Sequence, residues 1–324
     1  MKKRYLIAGA YALAGAGVAA KLLRRPRDLD WERHGGHLRE AGRSRFADID
    51  GVRLHYVEAG EAGAPVIMLI HGFCASTLVW NDVIVPLAEA GFRVVAPDLV
   101  GFGFSEKPRR WEYTIEAQAR TVVRLMDELG VESAAVVGSS YGGAVAAVCA
   151  LDYAERVERV VLVCAVSNDD VKRQLLLRLA AAPLMGNVLS PLVLDSPRLM
   201  KWRMGKVYGE RSAHLTVDER MGPQHLPLRA ARTQRAVLQT LRRWDAARIE
   251  REAHRVEHPV LLVWGDRDRD VPLHNGERLH ALMPHSRLVV FRDCGHMPQE
   301  ERPEEFAGLV AGFCQKRSMV NSEP

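Results

Sequence analysis

Three short clusters in this 324-residue chain combine residue types that do nucleophilic chemistry. The first, Gly138-Ser139-Ser140-Tyr141-Gly142-Gly143, carries G-x-S-x-G spacing between an apolar run at Ala134 to Val137 and a helix-like run at Ala144 to Asp152. A serine in that context occupies a strained strand-to-helix turn, and the flanking glycines let neighbouring backbone approach where a Cβ would clash. Its hydroxyl is then held above a sheet edge, with the Tyr141 N–H aimed at the place where an oxyanion would form. The second cluster, His71-Gly72-Phe73, ends the apolar run Val66 to Ile70. A loop there presents the Phe73 N–H as a second oxyanion donor, while His71 itself reads as a side chain that anchors the loop. The third cluster is a pair: Gly265-Asp266-Arg267-Asp268-Arg269-Asp270-Val271-Pro272 after the run Val260 to Trp264, and Asp293-Cys294-Gly295-His296 after Arg287 to Phe291. An alcohol is a poor nucleophile until a base removes its proton, so the chemistry these clusters suit is acyl transfer. Ser140 attacks, His296 takes the proton, and an aspartate of the 266–270 loop orients the imidazole. A bare G-x-S-x-G is common by chance and also describes a plain glycine-rich turn; the weight lies in the three clusters together.

The elements that must position them follow an alternating pattern. Short apolar runs at Val66 to Ile70, Arg93 to Ala96, Ala134 to Val137, Val160 to Val163, Val260 to Trp264 and Arg287 to Phe291 predict strands buried on both faces. Between them, Thr114 to Leu129 places Ile115, Ala119, Val122, Val123, Met126 and Leu129 at helical spacing. This predicts an α/β fold with a mostly parallel, doubly covered sheet. An antiparallel start is expected from Arg45 to Asp48 and Val52 to Glu58, joined at Asp50-Gly51. From Ser167 to about Glu257 no strand-like run of that quality occurs; helical patterns at Val171 to Ala182 and Arg229 to Ile249, with Pro183, Pro191, Pro197 and Pro223 between, predict a helical insertion. In open α/β sheets ligands gather at the carboxyl ends of the strands, and all three clusters follow strand ends.

Four motifs in order, HGF at 71–73, PDLVGFGFSEKP at 97–108, GSSYGG at 138–143 and GHMPQEERPEEF at 295–306, make the chain from about 45 to 315 resemble the α/β-hydrolase superfamily. Its order of Ser, then Asp, then His is that of this superfamily rather than of the chymotrypsin or subtilisin types. The likeness is to the capped branch that includes lipases, monoacylglycerol lipases, epoxide hydrolases, dehalogenases and meta-cleavage-product hydrolases. It implies an eight-stranded, mostly parallel sheet with helices on both faces, a core at 45–166 and 258–315, and a helical cap at 167–257. It implies the catalytic set Ser140, Asp268 and His296, backbone oxyanion donors at Phe73 and Tyr141, and no cofactor or metal. Asp266 and Asp270 then become loop carboxylates, Asp98 a loop organiser, Ser105 a turn residue and Trp80 a core residue. Epoxide hydrolases and haloalkane dehalogenases carry Asp where this chain has Ser140, which leaves acyl transfer to water. Meta-cleavage-product hydrolases commonly have a Gly-Pro-Gly-type loop where Phe73-Cys74-Ala75-Ser76 stand here. Carboxylic ester hydrolysis is therefore expected ahead of carbon–carbon hydrolysis, and both ahead of a ligand-binding protein without catalysis.

Composition sets the outer bounds. With 48% hydrophobic and 26% charged residues, 26 Gly and 16 Pro, the chain is of the ordinary globular class rather than disordered, collagenous or polytopic. Five cysteines without CxxC spacing argue against a disulfide framework or a zinc site. The net charge of +5 is too small to imply a nucleic-acid partner, and the oligomeric state is not readable. Residues 1–30 hold seven basic against two acidic residues, and 168–257 hold seventeen against ten. Between the basic start and Lys21 runs YLIAGAYALAGAGVAA, sixteen uncharged residues from Tyr5 to Ala20. Extended to Leu23 by a snorkelling Lys21, a helix there would reach about 28 Å against the ~30 Å hydrocarbon core. An uncleaved membrane anchor is the expectation, ahead of a cleaved signal peptide or a soluble tail. With it goes the expectation that the substrate is a lipid-like acyl ester rather than a freely soluble one.

Overall fold

A computed structural model describes residues 25–170, 182–216 and 218–315. Eight strands form one sheet in the order β1-β2-β4-β3-β5-β6-β7-β8. They are β1 Ser44–Ile49, β2 Val52–Ala59, β3 Val66–Ile70, β4 Arg93–Pro97, β5 Ala134–Ser139, β6 Val157–Val163, β7 Val260–Gly265 and β8 Ser286–Phe291. Only β1–β2 and β2–β4 pair antiparallel; every other ladder is parallel. Asp50 and Gly51 both take positive φ, 52° and 77°, which matches the hairpin turn to the right-handed twist of its strands.

The parallel strands are apolar throughout because each alternates between two cores. Met68 and Ile70 of β3 join one cluster while Ile67 and Leu69 join the other; Leu262 and Trp264 of β7 oppose Leu261 and Val263 in the same way. Helices α3 Ile115–Glu128 and α4 Tyr141–Asp152 cover the first face; α2 Ile84–Glu89 and α12 Pro303–Gln315 cover the second. The expected helix at Thr114 begins where the Thr114 hydroxyl accepts the Ala117 N–H at 3.1 Å, an N-cap that the sequence places one residue before the apolar stripe.

Between β6 and β7 the described residues hold helices and no strand: α5 Pro183–Leu194, α6 Pro197–Val207, α7 Asp218–His225, α8 Ala231–Arg242 and α9 Ala247–Glu252. The expected run at 171–182 lies, but for its last residue, outside the described residues. Two of the prolines read as separators instead open helices, Pro183 and Pro197 standing at the first helical position, where a missing N–H costs nothing. Pro191 and Pro223 lie inside α5 and α7. The run expected from Arg229 to Ile249 divides into α8 and α9, and the break releases Trp244 into the interior. Much of the basic surplus is neutralised within the molecule: Arg203 pairs with Asp270, Arg220 with Asp82 and Glu300, Arg229 with Asp195, and Arg248 with Asp152 and Glu252.

Residues 25–31 form a strap. Their Pro26 and Arg27 carbonyls accept the first two N–H groups of α8, from Ala231 at 2.9 Å and Arg232 at 3.0 Å, and Trp31 packs on the His55, Phe46 and Phe104 rings. The expectation of a membrane-associated protein held by a transmembrane anchor is corrected here. No helix among the described residues is long and apolar enough to cross a membrane. The stretch Tyr5–Ala20 that prompted the expectation lies in residues 1–24, outside the described residues. Its sequence shows why the signal was weak: ten of its sixteen residues are Ala or Gly, which carry little apolar area to transfer into hydrocarbon.

Candidate active site

Ser140 stands between β5 and α4 with φ 55° and ψ −115°, a conformation that non-glycine residues avoid. The backbone around it holds that strain in place. The Ser140 N–H donates to the Val163 carbonyl at 2.8 Å, and its own carbonyl accepts from Gly143 at 3.0 Å and Val166 at 3.0 Å. The surrounding glycines are required by contact: a Cβ at Gly142 would lie 2.2 Å from the Ile70 oxygen, one at Gly138 2.1 Å from the Gly142 oxygen, and one at Gly143 2.4 Å from the Ala165 Cβ. Gly72 brings the other loop onto the serine, since a Cβ there would stand 3.2 Å from Ser140 Cβ and 3.8 Å from its Oγ.

The adjoining loop owes its shape to His71. This fully buried imidazole donates from Nδ1 to the Gly72 carbonyl at 2.8 Å and accepts the Leu99 N–H at Nε2 at 2.9 Å. Burial lowers its pKa, so it stays neutral with both nitrogens occupied, which suits an anchor and not a base. Asp98 organises the next loop. It accepts from His55 at 2.7 Å, Thr77 N–H at 2.7 Å and Phe104 N–H at 2.8 Å. Burial opposes its charge, but His55 and these donors outweigh it and hold Asp98 at about 2. Ser105 is a turn residue, accepting from His55 N–H and donating to the Asp98 carbonyl, and Trp80 is buried in the core.

Of the three loop aspartates, Asp268 reaches the histidine. His296 Nδ1 lies 2.7 Å from Asp268 Oδ2, while Oδ1 accepts the Asp270 and Val271 N–H groups at 2.8 and 3.0 Å. Asp270 turns away to Arg203 at 2.5 Å, and Asp266 lies near Arg267 and Arg292. The pair is nearly dry, with Asp268 7% and His296 5% exposed. Burial disfavours the imidazolium, but the Asp268 charge and hydrogen bond prevail and raise the His296 pKa above its ordinary value. An Nδ1–H donated to the carboxylate leaves the Nε2 lone pair as the basic site. Among the described residues, the side chains that could share a metal ion are Cys164, Asp268 and His296, whose donor atoms lie within 4.8 Å of one another. They suit one poorly: Asp268 already accepts three hydrogen bonds, and burial, with Asp268 beside it, pushes the Cys164 thiol well above its ordinary value, whereas a ligand must be a thiolate.

Several contributors carry no mark in the sequence. Glu301 accepts N–H groups from Gly295 at 2.9 Å, Met297 at 3.2 Å and Gly209 at 2.8 Å, tying the histidine loop to the residues after α6. Beside it, Glu300 accepts from Tyr208, Arg220 and Gln224. The His296 N–H donates to the Val207 carbonyl at 2.8 Å, and a Cβ at Gly295 would meet that oxygen at 2.4 Å. Trp244 packs against both expected oxyanion residues, edge-on to the Phe73 ring at 5.3 Å and tilted on that of Tyr141 at 4.8 Å. The adjacent pair Glu300-Glu301, just after Pro298 and close to His296, is the one signal that could have flagged the latch, but paired glutamates are ordinarily solvated.

A family model described as the alpha/beta hydrolase fold matches residues 65–303. The chain belongs to the α/β-hydrolase family. This α/β hydrolase is 32% identical over 301 residues to 2-hydroxy-6-oxo-6-phenylhexa-2,4-dienoate hydrolase of Comamonas testosteroni, covering 86% of this chain and 99% of the relative. Among solved structures, a meta-cleavage product hydrolase from Pseudomonas fluorescens IP01 superposes with TM-score 0.71 at 28% identity, over 83% of this chain and 96% of that one. A membrane phospholipase A described as a bacterial virulence factor superposes with TM-score 0.72 at 27% identity, over 96% of this hydrolase and 97% of its own chain.

Proposed function

We propose that this α/β hydrolase cleaves carboxylic esters, with acyl esters of lipids as its substrates, through an acyl-enzyme formed on Ser140. Ser140 Oγ attacks the ester carbonyl as His296 Nε2 takes its proton; the Phe73 and Tyr141 N–H groups hold the oxyanion, and Asp268 keeps the imidazole in its tautomer. The imidazolium then protonates the departing alcohol. Water, deprotonated by the same nitrogen, attacks the acyl-enzyme and releases the acid. The observation that carries this reading is the 2.7 Å contact of His296 Nδ1 with Asp268 at the strand ends where Ser140 takes its strained turn. The helices of 167–257 serve as the cap, with Trp244 covering the acyl-binding side. The likeness to a phospholipase over nearly the whole chain supports lipid esters.

The identity to a dienoate hydrolase over almost its full length favours a second reading, hydrolysis of a carbon–carbon bond in a 2-hydroxy-6-oxo-dienoate by the same residues. One experiment separates them. Purified protein is labelled with a fluorophosphonate, then assayed on p-nitrophenyl esters of rising chain length, on detergent-dispersed glycerophospholipid and on the phenyl-dienoate. Ser140-dependent labelling with ester turnover is expected; labelling with turnover of the dienoate alone would replace the ester reading, and absence of labelling would remove both.

A further inference from the structure

A cleft of about 380 Å³ opens between the strap and helices α5 and α8. Arg25, Arg27, Arg232 and Arg235 line it, with Ser190 and Asn187 opposite. The charge there is one-sided. Asp28 is shared between Arg232 at 3.2 Å and the buried Lys107 at 3.3 Å. Arg25 donates to the neutral Gln234 amide at 2.6 Å and Arg235 to the Lys107 carbonyl at 2.8 Å, and neither pairs with a carboxylate among the described residues. Arg235 Nε is buried with no acceptor, and Arg27 pairs with no carboxylate among the described residues. Arg25, Arg27 and Arg235 line one concave space without a carboxylate partner among the described residues, so their charges repel one another, and an anion in the cleft would relieve that repulsion.

We propose that this cleft binds a phosphate group, as inorganic phosphate or as a small phosphomonoester. Guanidinium forks match phosphate oxygens in pairs, and the Ser190 hydroxyl and Asn187 amide supply the neutral donors such sites use. The space is large enough for a phosphate carrying a three-carbon group. Because the strap, α5 and α8 each contribute, a bound phosphate ties the three together. The site is independent of the ester reading, since none of its residues belongs to the reaction.

The test uses the full chain. Calorimetry and thermal melts are run with sodium phosphate, with glycerol 3-phosphate and with sodium chloride at matched ionic strength, on wild type, Arg27→Ala and Arg235→Gln. Saturable binding of a phosphate species is expected, with a rise in Tm that chloride does not reproduce. Each substitution should weaken it about tenfold or more, as loss of a charge-assisted hydrogen bond does. Turnover of a short soluble ester should stay the same in Arg27→Ala. Saturation by phosphate alone identifies the free ion as sufficient; saturation only by glycerol 3-phosphate identifies the ester. Equal stabilisation by chloride, or unchanged affinity in Arg27→Ala, overturns the proposal even if Arg235→Gln fails to fold.

Discussion

At the scale of single residues, the proposed mechanism makes Ser140, Asp268 and His296 one device for moving a proton. Ser140→Ala and His296→Ala are each expected to lower ester turnover by about 10⁵- to 10⁶-fold, with the double variant little worse than either, because removing one member already disables the others. Additive losses in steady-state assays would show that the two do not share a proton. Asp268→Asn should cost about 10³- to 10⁴-fold, while Asp270→Asn, whose carboxylate faces Arg203, should cost far less. The pH profile gives a second reading of the same pair. His296 must be neutral to act, and the Asp268 charge outweighs burial to raise its pKa, so wild-type kcat/KM should climb with pH through a value above that of an ordinary histidine. In Asp268→Asn the acid limb should move to lower pH. An unmoved limb would mean that another group titrates there.

At the scale of elements, the site is built where the helical segment grips two core loops at once. The end of α6 accepts the His296 N–H through Val207, Arg203 of the same helix holds Asp270 two residues past Asp268, and Glu301 gathers the N–H groups of Gly295, Met297 and Gly209. Glu301→Gln keeps the size of that side chain but turns one of its acceptors into a donor facing N–H groups. It should lower kcat roughly tenfold to a hundredfold with KM less affected, since a histidine displaced by about 1 Å loses much of its advantage. Fluorophosphonate labelling rates should fall in step with kcat; a full labelling rate would place the defect elsewhere.

At the scale of the whole molecule, stability depends on charges that the core encloses. Asp98 is fully buried and held at about 2, below the ~3.9 of an unfolded aspartate. A depressed carboxylate stabilises the fold above its unfolded value, and that contribution fades as pH falls from about 4 to about 2. Denaturant unfolding across this range should therefore show a shallower dependence on pH in Asp98→Asn than in wild type, by about one proton, along with a lower stability at neutral pH. Parallel curves for the two proteins would show that Asp98 does not take up a proton on unfolding in this range.

The strands, the hairpin turn and the serine elbow were legible in the sequence because each is decided locally. Strands buried on both faces leave short apolar runs, a two-residue I′ turn needs Asp-Gly, and a strained strand-to-helix turn needs glycine at contact distance. Which aspartate meets His296 was implied by family likeness, but spacing alone left three choices, and the backbone N–H groups of Asp270 and Val271 that orient Asp268 exist only in the folded loop. The latch of Glu300 and Glu301 onto residues 208–224, the ring contacts of Trp244 with Phe73 and Tyr141, and the strap on α8 join segments about 80 to 200 residues apart. No local pattern marks them: a buried glutamate and a solvated one have the same side chain, and only the tertiary structure decides which donors surround it.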